Sequence, residues 1–312
     1  MDALALVLER PEHLLLRRLP LTPPGDGDIV VAVEWSGIST GTERLLWSGR
    51  MPPFPGMGYP LVPGYESVGR IIAVGPQSKL QEGDRVFVPG ARCFGEIRGL
   101  FGGAASKLIV AEDRVALIDD ALGEQGILMA LAATAHHAVA APGGALPELI
   151  VGHGVLGRLL ARITVALGGQ PVVWERDPTR ADGARGYDVV HPDDDDRRDY
   201  GAIYDVSGDA ALVDALIGRM RRGGELVLAG FYSQAISFSF PPAFMKEARL
   251  RVAAEWSPPD LEAASRLIRD GRLSLDGLIT HRAEVERAAD AYRTAFEDPA
   301  CLKMLIDWRA CS

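Results

Sequence analysis

One stretch constrains the fold of this 312-residue chain more than any other, the run Leu-Ile-Val-Gly-His-Gly-Val-Leu-Gly at residues 149–157. An apolar triplet followed by glycines spaced Gly-x-Gly-x-x-Gly predicts a strand, a tight turn and the start of a helix. Such a turn binds the pyrophosphate of a dinucleotide, because Gly152 permits the turn, Gly154 lets backbone N–H groups approach the anion, and Gly157 lets helix and strand pack closely. The other turn residues assigned to this cofactor site are His153, Val155 and Leu156.

Glu175 ends the next predicted strand, about 20 residues further on. A carboxylate there accepts hydrogen bonds from the ribose hydroxyls of NAD and repels the 2′-phosphate of NADP, so NAD is the expected cofactor. Arg176 keeps NADP open as the alternative, because a guanidinium can pair with that phosphate. Ser207 and Gly230 follow two further predicted strands, whose ends should meet at the same sheet edge and complete the site.

The alternation of strand and helix from residue 122 onward predicts a doubly wound parallel sheet. Residues 1–121 instead contain short β-rich segments between Pro and Gly clusters, which indicates a barrel-like β domain. The sequence therefore predicts an α/β protein with a β domain at 1–121, completed by residues 276–312, and a dinucleotide-binding domain at 122–275. Residues 177–198 are too few for another full βα unit, and the acidic run at 193–196 is predicted to be a solvated loop.

The composition and charge of the chain limit the classes of molecule that it is expected to bind. The chain is 47% hydrophobic and 24% charged, which is typical of soluble globular proteins. Its net charge of −9 and its scattered basic residues argue against nucleic acid and favour a neutral or apolar small molecule. No run approaches the ~20 apolar residues of a membrane span and the start lacks a signal peptide, so we expect a cytoplasmic protein that is not integral to a membrane. Three widely spaced cysteines predict neither disulfides nor a zinc knuckle.

The domain order and three short motifs resemble the medium-chain dehydrogenase/reductase superfamily. The motifs are Gly37-Ile-Ser-Thr-Gly-Thr-Glu43, Gly64-Tyr-Glu66 and Gly83-Asp-Arg-Val86. The resemblance implies a GroES-like β-barrel catalytic domain followed by a Rossmann domain. In the zinc alcohol dehydrogenases of this superfamily, a Gly-x-Cys motif, a Gly-His-Glu motif and a later Cys or Glu hold the catalytic metal. This chain has Ser39 or Thr40, Tyr65 and Ala130 at those places, which are not zinc ligands, so no metal is expected.

Without a Lewis acid, a side chain has to stabilise the alkoxide that develops when an alcohol is oxidised. The resemblance makes Tyr65 the leading candidate, because it replaces the metal-binding imidazole. Glu66 is expected to orient Tyr65, and Ser39 to add a hydrogen bond. Thr42 matches the hydroxyl that begins the superfamily's proton relay, with Glu43 as the acidic residue after it. His136 is a further catalytic candidate, and Thr134 matches a residue that flanks the nicotinamide. A core role is the structural alternative for Tyr65 and for His136.

A narrower and longer match covers residues 36–66, 132–137 and 204–208. It resembles the family of hydroxyethyl-bacteriochlorophyllide dehydrogenases of bacteriochlorophyll biosynthesis, in photosynthesis. That resemblance implies a tetrapyrrole substrate, whose 1-hydroxyethyl group is oxidised to acetyl with NAD as hydride acceptor. Flat and adaptable apolar side chains suited to such a ring are Trp47, Met51, Phe54, Met57 and Tyr59, and Arg44 or Arg50 can pair with its propionate. Packing within the protein's own core is the alternative use of the apolar residues.

Two other functions are compatible with the sequence. The first is a zinc-free quinone or enoyl reductase that uses NADPH, and the second is a non-catalytic pigment or nucleotide carrier. For the assembled state, the resemblance implies a homodimer paired through the sheet edge near residues 235–240. Handover of so apolar a substrate also suggests loose association with a membrane or a partner enzyme.

Overall fold

The structure, a computed structural model, describes residues 1–53 and 55–311. Phe54, one of the aromatic residues assigned to the substrate, lies outside the described residues. The chain divides into two compact units, the first built from residues 1–130 and 278–312 and the second from residues 131–277. The domain boundaries predicted from the sequence lie at 121/122 and 275/276. The observed division between residues 130 and 131 falls inside the helix Met129–Val139. The apolar stretch that begins at residue 122 therefore contains both the end of the first unit and the start of the second.

The first unit is a β structure made of two sheets. Its strands are β1 (Asp2–Arg10), β2 (His13–Pro20), β3 (Asp28–Ile38), β4 (Leu61–Val62), β5 (Ser67–Val74), β6 (Arg85–Val88), β7 (Arg98–Gly99), β8 (Lys107–Ala111) and β9 (Ala116–Leu117). The smaller sheet has the order β2-β1-β4-β7. In the larger sheet β3 is the central strand, paired antiparallel with β5 and β8. The buried β-branched side chains of β3 explain its place in the core, at Ile29, Val30, Val31 and Val33.

The C-terminal segment completes this first unit. It contributes β16 (His281–Glu284), a helix (Ala288–Glu297) and β17 (Met304–Asp307), and β17 pairs antiparallel with β3. A short helix α1 (Thr42–Trp47) follows β3. The return of the tail to the first domain is therefore observed, and it places residues around 303 beside the end of β3.

The second unit is a six-stranded parallel sheet. Its strands are β10 (Leu149–Val151), β11 (Val172–Trp174), β12 (Asp188–Val190), β13 (Tyr200–Asp205), β14 (Met220–Leu228) and β15 (Arg249–Val252). They lie in the order β12-β11-β10-β13-β14-β15, which is the order of a Rossmann sheet and puts the strand-order reversal beside β10. The doubly wound sheet that the sequence predicts is therefore present. The edge strand is β15, whereas residues 235–239, expected near the edge, form a loop.

The helices are α2 (Met129–Val139), α3 (Val155–Ala166), α4 (Val213–Arg219), α5 (Phe240–Lys246), α6 (Pro258–Arg269) and, in the first unit, α7 (Ala288–Glu297). Between β11 and β13 the described chain has two 3₁₀ turns and no α-helix, so a full βα unit is missing as the sequence predicts, but β12 keeps the sheet six-stranded. The acidic run at the second of these turns is only partly a solvated loop. Asp195 accepts hydrogen bonds of 2.6 Å from Trp174 Nε1 and from Tyr200 Oη, and so fastens the loop to the sheet.

Within the described ranges no helix has the length and apolar character needed to cross a bilayer. The same residues contain no group of three or more His, Cys, Asp or Glu side chains arranged to hold a metal ion.

Candidate functional site

The glycine turn after β10 has the geometry that a dinucleotide site requires. Gly152 has a φ of +105°, a conformation that side-chain-bearing residues rarely adopt. A Cβ at Gly157 would lie 1.9 Å from the carbonyl oxygen of Gly152, so only glycine permits α3 to pack this closely on the turn. Gly154 is the N-cap of α3, and a Cβ there would meet no atom within 4 Å. Val155 and Leu156 then form the first turn of α3, with Val155 buried.

Glu175 is held in place at the carboxyl end of β11. Its Oε2 accepts the backbone N–H of His153 at 3.0 Å, and its Oε1 accepts those of Arg176 and Asp177 at 2.8 and 2.9 Å. The carboxylate is thereby tied directly to the glycine turn, which is where an adenosine ribose lies in Rossmann proteins. The Arg176 side chain is exposed beside it.

The side chain of His153 points into the protein instead of toward a ligand. Its Nδ1 donates to the carbonyl oxygen of Arg180 at 2.6 Å, and its Nε2 accepts from Tyr187 Oη at 2.9 Å. Burial lowers the pKa of His153 to about 4, which fits this neutral tautomer. The side chain of His153 is therefore engaged within the protein, and only its backbone remains for the expected role in cofactor binding.

Two more strand ends converge near the glycine turn. After β13, Asp205 accepts hydrogen bonds from the backbone N–H and the hydroxyl of Ser207, and from Tyr232 Oη at 2.7 Å. After β14, a Cβ at Gly230 would lie 2.9 Å from the backbone nitrogen of Gly208. The two loops therefore approach closely, as expected from the glycines that follow each strand. Thr134 lies partly buried on α2.

The first unit contains a separate cluster of hydroxyl groups at the end of β3. Ser39 Oγ and Tyr65 Oη are 2.5 Å apart, and Thr42 also hydrogen-bonds the Tyr65 side chain. Burial and the nearby Glu66 charge raise the pKa of Tyr65 above its ordinary value. Tyr65 is therefore a neutral phenol that can donate a hydrogen bond, and the lowered pKa that would make it a proton acceptor is absent. The ring also packs edge-on against Phe101, with centroids 5.2 Å apart.

Lys303 and Glu66 form a buried ion pair close to the Ser39–Tyr65 hydroxyl pair. Lys303 Nζ donates to Glu66 Oε2 at 2.6 Å and to the Ile38 carbonyl oxygen at 3.2 Å. Glu66 is fully buried, and its Oε1 has no hydrogen-bond partner among the described residues. Burial raises the pKa of Glu66, while the Lys303 ammonium opposes that rise. Glu66, expected to orient Tyr65, is instead bonded to Lys303 and acts on Tyr65 through its charge.

Glu43 is the second buried carboxylate of the cluster. Its Oε1 accepts the backbone N–H of Ser39 at 3.0 Å, and its Oε2 accepts Tyr292 Oη at 2.7 Å. Burial raises its pKa to about 7, against the hydrogen bonds from Ser39 and Tyr292, which lower it. The carboxyl group of Glu43 therefore changes charge near neutral pH.

The structure gives His136 a structural partner. His136 Nδ1 and His137 Nδ1 lie 2.9 and 2.8 Å from the two carboxylate oxygens of Asp260, which also caps α6 through Ser257. Both histidines thus fasten α2 to the start of α6. This contact gives His136 a structural partner through Nδ1, and its part in proton transfer stays a prediction.

Of the described apolar residues assigned to the substrate surface, Trp47 belongs to the first unit's core, and Met51, Met57 and Tyr59 are partly buried against that core. Trp47 is only 8% exposed and packs against the rings of Tyr292 and Phe296 on α7. Tyr59 Oη donates to the Leu46 carbonyl oxygen at 2.5 Å. Met51 and Met57 are partly buried against the same core. We therefore remove Trp47 from the substrate surface and retain Arg50 and Arg44, both exposed.

Sequence reasoning missed Lys303 and Tyr292. Lys303 is a lone cation inside the apolar run Cys-Leu-Lys-Met-Leu-Ile at 301–306, and a charge in such a run signals a buried partner. Tyr292 has no comparable signal, because an aromatic residue on a helix's buried face is ordinary core. Asp260 was also missed, although Ser-Pro-Pro-Asp at 257–260 has the spacing of a capping box.

Comparison with known proteins defines the class. The model of the alcohol dehydrogenase GroES-like domain family matches residues 25–120. The structure is similar to that of 2R,3R-butanediol dehydrogenase from Bacillus subtilis, with a TM-score of 0.84 and 20% identity over 98% of this chain and 99% of that one. A dehydrogenase from E. coli solved with NADH also has a TM-score of 0.84, at 19% identity over 98% and 99% of the two chains. The expected combination of a GroES-like domain with a Rossmann sheet is confirmed, and the fold is that of the alcohol dehydrogenases.

Full-length relatives narrow the class further. A 2-desacetyl-2-hydroxyethyl bacteriochlorophyllide A dehydrogenase from Rhodobacter capsulatus is 58% identical over 311 residues, which cover 99% of each chain. A protein of the same name from Cereibacter sphaeroides is 56% identical over 316 residues, again covering 99% of each. The chain belongs to this family of dehydrogenases, within the medium-chain dehydrogenase/reductase superfamily.

Proposed function

We propose that this protein oxidises the hydroxyethyl side chain of a bacteriochlorophyllide to an acetyl group, with NAD as the hydride acceptor and without a catalytic metal. The substrate follows from the names of the two full-length relatives. The observation that carries the chemistry is the Ser39–Tyr65 hydroxyl pair, because it supplies a neutral hydrogen-bond donor where the alcohol dehydrogenases of this superfamily use a metal.

The residues at the metal positions do not fit zinc. Zinc binds thiolate, neutral imidazole or carboxylate, whereas Ser39 offers a hydroxyl and Ala130 offers no donor atom. Tyr65 would have to lose its proton to bind the ion, and burial raises its pKa and so opposes that loss. We therefore derive no step through a metal.

The residues of the second unit fit a nicotinamide dinucleotide. Backbone N–H groups at Gly154, Val155 and Leu156 would hold the pyrophosphate at the start of α3, whereas the Gly152 N–H donates to the Trp174 carbonyl oxygen. Glu175 would accept the ribose hydroxyls, and its negative charge favours NAD over NADP. When bound, the nicotinamide supplies the hydride-accepting carbon.

In the proposed reaction Tyr65 hydrogen-bonds the oxygen of the substrate's secondary alcohol. The phenol remains protonated at neutral pH because its pKa is raised, so its O–H can be directed at the oxygen as negative charge develops there. Ser39 holds the Tyr65 oxygen at 2.5 Å and fixes the direction of that O–H group. Arg50 and Arg44 on the exposed side of the same domain are available to a propionate carboxylate.

The direct test is to mix the purified protein with NAD and hydroxyethyl bacteriochlorophyllide and to follow the pigment's absorption together with NADH formation. We expect an acetyl product and one NADH per pigment, with activity that survives metal chelators. Use of NADPH to reduce a quinone or an enone, with no oxidation of the pigment, would support the reductase function instead. Pigment binding with no turnover would support a carrier.

A further inference from the structure

The oxidation releases a proton, and Tyr65 is unsuited to hold the resulting charge because its pKa is raised. A group with a pKa near neutrality is the best proton acceptor at physiological pH. Glu43 is such a group. It contacts the hydroxyl pair through Ser39, whose backbone N–H donates to Glu43 Oε1 at 3.0 Å. Glu43 is only 1% exposed, so its carboxylate exchanges protons with protein groups and not directly with solvent.

We propose that Glu43 is the terminal acceptor of the alcohol proton, which reaches it through the hydroxyl groups of Tyr65 and Ser39. This inference rests on the proposed function. Before the transfer Tyr65 Oη accepts the alcohol O–H, and its own O–H points at Ser39 Oγ. As the carbinol C–H bond breaks and its electron pair leaves with the hydride, the alcohol proton passes to Tyr65 Oη and becomes the O–H that faces the product oxygen. The Tyr65 proton passes to Ser39 Oγ, and the Ser39 proton passes to Glu43 Oε1. One proton leaves the substrate and one arrives on Glu43, with both hydroxyl groups restored.

The last transfer requires Ser39 Oγ to reach the carboxylate that its own N–H already contacts. Two serines in this protein show that one oxygen accepts both groups. The backbone N–H and the hydroxyl of Ser257 donate to Asp260 Oδ2 at 2.9 and 2.5 Å, and those of Ser207 donate to Asp205 Oδ1 at 2.8 and 2.6 Å. A rotation of Ser39 about χ1 that brings Oγ to Glu43 Oε1 while it keeps its contact with Tyr65 Oη would let the three protons shift together, so that neither hydroxyl becomes charged. After the product leaves, the proton passes back through Ser39 and Tyr65 to solvent that enters the emptied site.

The charges around Glu43 suit an acceptor. Tyr292 from α7 donates to Oε2, which favours the ionised form, and the Lys303 ammonium before β17 also favours it. Glu66, before β5, has a negative charge that disfavours it. With both carboxylates ionised the buried group has one excess negative charge, and a proton on Glu43 removes it. Uptake of the substrate proton thus neutralises the buried cluster.

The experiment measures kcat/KM for pigment oxidation from about pH 5.5 to about pH 9 in the wild type and in Glu43→Gln. The wild type should lose activity as the pH falls through an inflection near the Glu43 pKa of about 7. Glu43→Gln should lack that inflection and lose about 100-fold or more in rate at alkaline pH. Glu34→Gln changes another glutamate of the same domain, outside the cluster, and should keep the inflection. An inflection that persists in Glu43→Gln would overturn the proposal.

Tyr292→Phe keeps the ring and removes the hydrogen bond to Glu43, so the inflection should move to higher pH. Tyr204→Phe, which removes a hydrogen bond to a backbone carbonyl in the second unit, should leave it unchanged. Infrared pH titration of the protein without substrate provides the independent readout. A carboxylic acid band should vanish near pH 7 in the wild type and be missing in Glu43→Gln. If the wild type is inactive on the pigment while this band titrates, the proposed function fails and Glu43 loses its role as acceptor of the alcohol proton, although it still titrates near pH 7. If the wild type oxidises the pigment and the band persists in Glu43→Gln, the proposed function stands and the role of Glu43 is refuted.

Discussion

Lys303 and Glu66 form a fully buried ion pair, with 2.6 Å between Nζ and Oε2. Removing one partner of such a pair is costly, because the other charge remains buried without compensation. Lys303→Met should therefore lower the free energy of unfolding by about 3–5 kcal/mol, measured by urea denaturation. The double variant Lys303→Met/Glu66→Gln should recover part of this loss, since it removes the stranded charge. A double variant less stable than Lys303→Met would contradict the assignment of the pair as ionic.

Tyr65→Phe should lower kcat for pigment oxidation by about 100-fold or more and leave the affinity for NAD unchanged. The variant keeps the ring packed against Phe101 and removes only the phenol O–H. Tyr204→Phe is the matched control, because it deletes a buried tyrosine hydroxyl from the other unit. Turnover by Tyr65→Phe close to that of the wild type would remove Tyr65 from the chemistry.

Glu175→Gln should change the preference between the two nicotinamide dinucleotides. The substitution keeps the size of the side chain but removes the negative charge that repels a 2′-phosphate. We expect the ratio of kcat/KM for NADP to that for NAD to rise about 10-fold, equivalent to about 1.4 kcal/mol. Asp177→Asn alters a nearby carboxylate that caps a 3₁₀ turn, and it should leave the ratio as it is. An equal change in both variants would show that net charge, not position, matters.

Stability should depend on pH through Glu43. Its pKa in the folded protein is about 7, above the 4.5 of an unburied glutamate, so between these values the folded state binds the proton more tightly. The free energy of unfolding contributed by this group therefore falls as the pH rises. The Tm of Glu43→Gln minus the Tm of the wild type should therefore rise by several degrees between about pH 5 and about pH 8, because only the wild type loses stability as Glu43 ionises. A difference in Tm that is constant with pH would mean that Glu43 does not titrate there.

We propose that the protein forms a homodimer through the edge strand β15. Exposed apolar side chains cluster in sequence on β15 and the preceding helix α5, at Phe240, Phe244, Met245, Leu250 and Val252. An unpaired, apolar strand edge favours pairing with a second copy. Val252→Lys should shift the mass measured by light scattering from dimer to monomer, whereas Leu117→Lys on β9 should not. A monomeric wild type at micromolar concentration would contradict this proposal.

The sequence predicted most of the fold because its signals are local. The glycines at 152, 154 and 157 each have one backbone task, and the alternation of strand and helix is readable without distant contacts. Residues 235–239, near which the resemblance implied pairing at a sheet edge, form a loop, and the edge strand β15 lies at residues 249–252, because the order of strands in a sheet depends on contacts between distant segments. The solvated-loop prediction failed at Asp195, whose partners Trp174 and Tyr200 lie on two different strands.

The candidate site was only partly predictable, because its members come from distant parts of the chain. Ser39 and Tyr65 were identified from motifs, but the contacts that set their chemistry come from residues 292 and 303. Nothing local distinguishes Tyr292 from a core aromatic. The sequence could not separate Trp47, which belongs to the core, from the other apolar loop residues, because burial against the protein and contact with a ligand use the same side chains.

The return of residues 278–312 to the first unit has a consequence for synthesis. The central sheet of that unit is incomplete until β17 leaves the ribosome, whereas all of residues 131–277 emerge earlier. The Rossmann unit can thus fold while translation continues. The first unit must wait, with Glu43 and Glu66 lacking a counter-charge until Lys303 arrives. A pause or premature stop late in the message would therefore disable the hydroxyl cluster while leaving the nucleotide-binding unit intact.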